Sequence, residues 1–336
     1  MFVPVACIGV FLASLGLTAM LRRYALAKNL VDTPNARSSH QAPTARGGGL
    51  AFVLVILCVI IAFALSNRMS PLWASGLVIA GTGLAAIGWI DDKGHVAARS
   101  RLAVHIGAAS LLTYAIGPVS LAAIGIDYAP LDWIVTIGAI VWMINLVNFM
   151  DGIDGIAGSE AVFVCAALAC SFAFASYWNA SATFALLMAA AILGFLVLNW
   201  PPASIFMGDV GSGFLGGMLA ALVLMANREG WPFAAATLIS LSVFLCDASV
   251  TLARRSLRRQ VVWQAHRSHA YQRLARRWQS HAKVTHAVLV VNILYLLPLS
   301  IAVAAGNLEP LVGIALAWTP LVGVAIFAGA GLPDEV

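Results

Sequence analysis

The stretch NLVNFMDGIDGIAGSE, Asn145 to Glu160, lies between two runs of residues apolar enough for lipid. Asn145, Asn148, Asp151 and Asp154 recur in it at every third position. On one continuous α-helix each step of three falls about 60° short of a full turn, so the outer members would point in opposite directions. They share a site only if the helix ends near Met150 and the chain folds back, which Gly152 and Gly155 permit. The two amides then lie on the last helical turn and the two aspartates in the bend. The stretch reads as the polar junction between two membrane helices.

The rest of the chain supports that setting. Of its 336 residues, 61% are hydrophobic and only 10% are charged, with a mean hydropathy of +0.93. A soluble domain sits nearer half apolar and a quarter charged, so the fold class is an all-α, polytopic integral membrane protein. The apolar runs suit helices crossing about 30 Å of hydrocarbon, and the alternation of a membrane β-barrel is absent. Met1 to Leu21 lacks a basic start and a cleavage motif and reads as the first span. The predicted spans are 2–21, 47–66, 71–90, 102–118, 131–148, 157–177, 180–199, 211–227, 232–252, 284–304 and 309–331. Whether 180–199 and 211–227 are separate decides between ten and eleven.

The charges test this division. Of the 19 lysines and arginines, all but Arg68 and Arg228 fall on loops of one face. By the positive-inside rule that face is cytoplasmic, which puts the N-terminus outside. The cytoplasmic loops are about 22–46, 91–101, 149–156, 200–210 and 253–283, within a single membrane-embedded domain over 1–336. Cys7, Cys58, Cys165, Cys170 and Cys246 all fall within spans and form no CxxC pair, so they read as small apolar helix residues.

The acids follow the bases. An aspartate at the centre of a span would cost about 2.5–3.5 kcal/mol, and helix ends reduce that cost. Three distant loops bring carboxylates to the cytoplasmic surface: WIDDKG (Trp89–Gly94), NFMDGIDG (Asn148–Gly155) and FMGDVGSG (Phe206–Gly213). A solvated helix end explains any one of them; three with the same glycine pattern point to a shared site. In the third, Gly208, Gly211 and Gly213 leave backbone N–H groups open to an anion at the positive end of the next helix. Asp209 there suits Mg²⁺, a hard cation held by one or two carboxylates, water and substrate phosphates. Close helix packing by small residues is the rival reading of those glycines. Asn199 could hydrogen-bond a planar base and Phe206 could stack on it, with core packing the plain alternative for Phe206.

Carboxylates, a cation site and many arginines on one face suggest phosphate chemistry. Arg37, His40 and Arg46 stand in NARSSHQAPTARGGG, and Arg99 and Arg101 follow the DD pair. If both substrates are phosphates, the protein's work is to neutralise and align two polyanions. A phosphate monoester with its second pKa near about 6 is already largely dianionic at neutral pH, so a dedicated general base is not required. The basic segment Val261–Lys283 carries Tyr271, Leu274 and Trp278 at helical spacing and reads as an interfacial helix on anionic lipid. His266 and His269, three apart, can share a face as phosphate donors. His281 and His286 are expected to contribute little.

Five ordered motifs, APTARGGG, WIDDKGHVAARSRL, NLVNFMDGIDGIAGSE, NWPPASIFMGDVGSG and HRSHAYQRL, cover most of the chain. Through them it resembles the polyprenyl-phosphate N-acetylhexosamine-1-phosphate transferases. The resemblance implies transfer of a sugar 1-phosphate from a UDP-N-acetyl sugar to undecaprenyl phosphate, with release of UMP, at a bacterial inner membrane. It implies Mg²⁺, with Mn²⁺ as an alternative, held by Asp209 with Asn148 near it. Asp91, Asp92, Asp151, Asp154 and His269 are implied as catalytic or positioning groups, and His269→Ala is expected to lower turnover at least tenfold. Asn145, Asn199, Phe206, His266 and Arg267 join Arg37, His40, Arg46 and Arg99 as candidate substrate contacts. Many members carry a second and third histidine where this chain has Tyr271 and Gln272. That departure resembles the branch that initiates O-antigen. The expected partners are the two substrates and membrane lipids, not nucleic acid, and a homodimer is left open. The alternative reading, a cation- or proton-coupled membrane transporter, would more often place acids near the membrane midplane on broken helices.

Overall fold

A computed structural model describes residues 2–32, 43–94, 96–260 and 266–333. Arg37 and His40 lie outside them. The described chain is almost entirely helical. From the N-terminus run α1 (Phe2–Ala27), a two-residue strand β1 (Val31–Asp32), its partner β2 (Thr44–Ala45), α2 (Gly49–Leu65), α3 (Pro71–Lys93) and α4 (Ala98–Ile116). Then follow α5 (Ala129–Met150), α6 (Ile156–Phe174), α7 (Ala180–Asn199), α8 (Asp209–Glu229), α9 (Trp231–Ser240) and α10 (Ser242–Leu257). The last four are α11 (Ala270–Trp278), α12 (His281–Val291), α13 (Leu297–Ala304) and α14 (Pro310–Phe327).

Every predicted apolar run is helical. Among the described residues, eight helices are long and apolar enough to cross a membrane, counting α12 and α13 as one, and the bent α9–α10 pair would make a ninth. The α2 helix is apolar but has 17 residues, a rise of about 26 Å. The α4 helix carries Arg99, Arg101 and His105 in its first two turns.

Two predicted spans are not simple rods. The run 232–252 breaks by 68° between α9 and α10. Thr237 and Ser240 hydroxyls donate to the carbonyls of Phe233 and Ala236, and Ser242 to that of Leu238. Such back-bonding competes with the helix ladder and bends it. The run 284–304 contains a π turn over Asn292–Leu296, just before Pro298, whose missing N–H cannot close an α-helical bond.

The α8 helix is the axis of the assembly. It is almost wholly buried and packs on α2, α3, α4, α5, α6, α7 and α9. Its small residues make that possible: a side chain at Gly216 would strike the Ile144 backbone of α5, and one at Gly211 would strike Gly49 of α2. By contrast, α1 and α14 turn most of their surface outward, where large apolar side chains such as Leu12, Met20 and Phe327 are exposed. Apolar residues on the perimeter are the arrangement for a lipid solvent. The protein is a multi-pass membrane protein with its polar site at one end of the bundle.

Candidate active site

The site is assembled from the start of α8. Its first two backbone N–H groups, of Asp209 and Val210, donate to the Asp92 carboxylate at 2.9 and 3.1 Å. The sequence reading left these donors open to a substrate anion; the resident anion is Asp92. Gly208, at φ 76°, lets the chain turn tightly over that carboxylate, where a β-carbon would collide with it. Gly88, one turn before Asp92, presses on the Asp209 backbone with no room for a side chain. These two close approaches lock the end of α3 to the start of α8.

Arg46 is delivered by a small patch of extended chain. Val31 and Asp32 pair antiparallel with Ala45 and Thr44, and Ala45 bridges Ile205. The amide of Phe206 donates to the Ala45 carbonyl at 2.8 Å, and those of Gly48 and Gly49 donate to Phe206 and Met207. Thus fixed, the Arg46 guanidinium lies 2.9 Å from Asp92 and 3.7 Å from Asp209.

The bend after α5 forms as the spacing predicts, with α5 ending at Met150 and Gly155 at φ 73°. Gly152 is needed for another reason: the Tyr271 hydroxyl occupies the space of its missing side chain. From the last turn of α5, the Asn148 amide donates to Asp209 at 3.1 Å and to Ser212 at 2.9 Å. Asp151 is half-buried in the bend. Burial and the Asp209 and Asp92 carboxylates push its pKa well above the usual carboxylate range.

Two clefts meet at Asn148 and Asp209. One, of about 230 Å³, is lined by Asp32, Arg46, Asp151, Asp154, Phe206 and His281 among others. The second, of about 200 Å³, is more apolar, with Leu84, Ile87, Leu102 and Ile144 around Asp91, Arg101 and Asn145. Leu102 of that lining is also 46% exposed. Asp91 accepts from the Val96 amide at 2.8 Å and pairs with Arg101. Asn145 donates to Val141 and lies 3.3 Å from His105.

Several predicted residues are placed elsewhere. Arg99 is exposed and lines neither cleft; Arg101, two residues on, does. Asn199 borders the polar cleft, but its amide accepts from Gly155 and donates to Ile205, so both ends are engaged within the protein. Asp154 accepts from the Ala203 amide at 3.1 Å and lies 3.3 Å from His281. His269 is buried between His266 and Phe149 and lines neither cleft. Its Nδ1 lies 3.4 Å from Asp247 but off hydrogen-bond geometry, so the contact is a close electrostatic one. Burial and its His269 and Arg255 neighbours depress His266 to about 4, so it is neutral at pH 7 and no cationic donor. Arg267 is exposed, with its carbonyl accepting from Arg276.

Asp32 and Gln272 line the polar cleft though neither is among the predicted site residues, and so does His281, which the sequence reading expects to contribute little. The signal for His281 was a span start placed too late: Ser280 caps α12, which puts His281 in its first turn at the bundle's end.

A family model described as glycosyl transferase family 4 matches residues 73–227. The chain is also 32% identical over 237 residues to a phospho-N-acetylmuramoyl-pentapeptide-transferase of Staphylococcus carnosus, covering 62% of this chain and 72% of that one. The chain belongs to glycosyl transferase family 4. A probable undecaprenyl-phosphate N-acetylglucosaminyl 1-phosphate transferase of Bacillus subtilis is 26% identical over 302 residues, 87% of this chain and 83% of the relative. A decaprenyl-phosphate N-acetylglucosaminephosphotransferase of Mycobacterium leprae is 29% identical over 319 residues, 81% and 79% of the two chains. The glycosyl transferase family 4 match runs from α3 to α8 and takes in Asp91, Asp92, Asn148, Asp151 and Asp209. Gln272 and His281 of this family 4 chain stand outside it.

Proposed function

We propose that this protein transfers an N-acetylated hexosamine 1-phosphate from a UDP-sugar to undecaprenyl phosphate, releasing UMP, at the cytoplasmic face of a bacterial inner membrane. The observation that carries the reading is the meeting of a polar and a largely apolar cleft at Asn148 and Asp209. A soluble nucleotide-sugar suits the first, and a phosphate on an isoprenoid chain suits the second, with Arg101 at its polar end. The 17 basic residues on the site's side of the span pattern support the orientation, with the N-terminus outside.

A lipid-phosphate oxygen attacks the phosphorus that bears the sugar. A new P–O bond forms, the bond to the nucleotide's bridging oxygen breaks, and that oxygen leaves on UMP with the electron pair. With a dianionic acceptor the charges balance without a proton leaving, so no base is needed. Asp91 fits that scheme, since its oxygens are engaged by the Val96 amide and Arg101. Arg46 and Arg101 neutralise the two phosphates, one in each cleft, and Phe206 offers a ring for the base.

The residues present suit a hard divalent cation. The Asp209 carboxylate is half-open to both clefts, and Asn148 donates through its amide nitrogen, which leaves its oxygen as a donor atom. Among the described residues no three His, Cys, Asp or Glu side chains converge on one point. A cation there would complete its shell with water and substrate phosphates, as Mg²⁺ commonly does. Mg²⁺, or Mn²⁺ in its place, would supply neutralisation of the developing phosphate charge.

The sugar and the polymer are narrower questions. We infer an O-antigen or related envelope polysaccharide from Tyr271 and Gln272 in the HAYQRL motif. The experiment is incubation of purified protein with undecaprenyl phosphate and a panel of UDP-N-acetyl sugars, scoring UMP and the lipid product. Release of UMP that does not depend on the lipid phosphate would overturn the two-cleft reading.

A further inference from the structure

We propose that His281 of α12 is a positioning residue of the polar cleft, acting through Asp154 on the loop between α7 and α8; this rests on the transferase reading above. The contacts form a chain across three segments distant in sequence. His281 Nδ1 accepts from the Asp154 backbone amide at 3.5 Å and lies 3.3 Å from one Asp154 carboxylate oxygen, while the other oxygen accepts from the Ala203 amide at 3.1 Å. One helical turn after His281, the Thr285 hydroxyl donates to the Asp154 carbonyl at 3.0 Å. At i and i+4 the two side chains lie on the same face of α12 and grip one residue of the bend from two sides.

The other end of α12 is tethered too. At its π turn, the Asn292 amide donates to the buried Glu160 of α6 at 2.6 Å. The helix is therefore held against α6 and the bend at both ends, so the height of His281 over Asp154 is set by packing rather than by a loose loop. Ala203 is the far end of the chain of contacts. It lies three residues before Phe206, in the segment whose Phe206 and Met207 carbonyls accept from Gly48 and Gly49 beside Arg46. Phe206, Gly208 and Arg46 all line the same cleft as His281. Asp154 is thus placed as a pin between α12 and that loop, its backbone amide and carbonyl bonded to His281 and Thr285 of α12 and its carboxylate to Ala203.

The consequence is specific to one substrate. The His281 side lies in the polar cleft and is absent from the lining of the apolar one. Loosening the pin should disturb the binding of the nucleotide-sugar and leave the lipid phosphate unaffected. Nδ1 accepts from the Asp154 backbone amide, so an asparagine, whose side-chain oxygen reaches about as far as Nδ1, should substitute for it, and a glutamine should not.

The test uses full-length protein in detergent and four variants: His281→Ala, His281→Asn, His281→Gln and, as a control on the exposed side of α12, Lys283→Ala. In His281→Ala the KM for the UDP-sugar should rise roughly tenfold while the KM for undecaprenyl phosphate stays within about twofold. His281→Asn should restore most of the loss, with His281→Gln resembling the alanine variant and Lys283→Ala the parent. A general structural role would instead lower the active fraction, moving kcat and neither KM. Such a result, or an unchanged KM for the donor, overturns the proposal.

Amide hydrogen exchange supplies a readout that needs no substrate. Peptides covering 151–155 and 200–207 should exchange roughly tenfold faster in His281→Ala, with α8 unchanged. Unaltered exchange in both peptides overturns the proposal even in an active enzyme. Should the parent fail to transfer any UDP-sugar, the functional reading falls, and exchange at Ala203 alone decides whether His281 holds the loop.

Discussion

Two helix starts in this protein are built by the same device and put to different uses. At α8 the Asp92 carboxylate from α3 accepts the first two amides. At α11 the Asp247 carboxylate from α10 does the same for Ala270 and Tyr271, at 2.8 and 2.9 Å. Each matches a carboxylate to the positive end of a helix. The surroundings differ. Asp247 is closed in by Thr251, at 3.1 Å, and by the buried His269. Asp92 shares Arg46 with Asp209, and Arg46 and Asp209 border the polar cleft. One cap is a lock; the other anchors the wall of a site.

If that contrast holds, substitutions at the two starts should separate rate from stability. The largest effect is expected from Asp209→Asn, which keeps the shape and removes the charge. Loss of one strong electrostatic element of a preorganised site costs on the order of 10²–10³ in rate, and the melting temperature should hold. Mg²⁺-dependent UMP release and melting in detergent, measured side by side, check both halves. Parent-like turnover at limiting Mg²⁺ would remove Asp209 from the site; a collapsed melting point would make it a lock as well.

Asp247→Ala should do the reverse. It strands two amides of α11 and costs about 2–3 kcal/mol of stability, while turnover per folded molecule stays within about threefold of the parent. Lost turnover with intact melting would show that the α11 start belongs to the site after all.

A smaller effect sharpens the electrostatic side. Asp151 has its pKa raised by burial and by neighbouring carboxylates, so its ionised form opposes folding. The stability contributed by the protonated form is present below the unfolded carboxylate pKa and is lost as pH rises toward the folded value. Asp151→Asn should therefore melt a few degrees higher at pH 7 with the cation chelated, and the gain should vanish near pH 4. A gain independent of pH would refute the assignment. The smallest change is expected from Arg99→Ala, which should stay within about twofold of the parent, whereas Arg101→Ala should raise the KM for the lipid phosphate roughly tenfold. Equal effects of the two would move the lipid-side boundary.

How much of this was legible depended on range. The helices, the grouping of the acids at one end and the bend after Met150 follow from local composition and spacing, and all are present. The break at Leu241 was hidden because its hydroxyls look like ordinary small residues of a span. Asp92 reads as a candidate site acid because the amides it accepts from lie 117 and 118 residues away. Arg99 and Arg101 are alike in sequence, and only the phase of α4 turns one toward the cleft. His269 was favoured by its motif, yet packing draws it beneath Phe149 while Gln272 of the same motif reaches the cleft.

If the proposed lipid phosphate enters the apolar cleft past the exposed Leu102, the kinetics to expect are those of a surface. An acceptor arriving there travels in two dimensions, so its effective concentration is its fraction of the membrane's surface, not its amount per litre. Diluting vesicles at fixed lipid composition should leave the rate per enzyme unchanged at saturating donor, while adding inert phospholipid to the same vesicles should lower it.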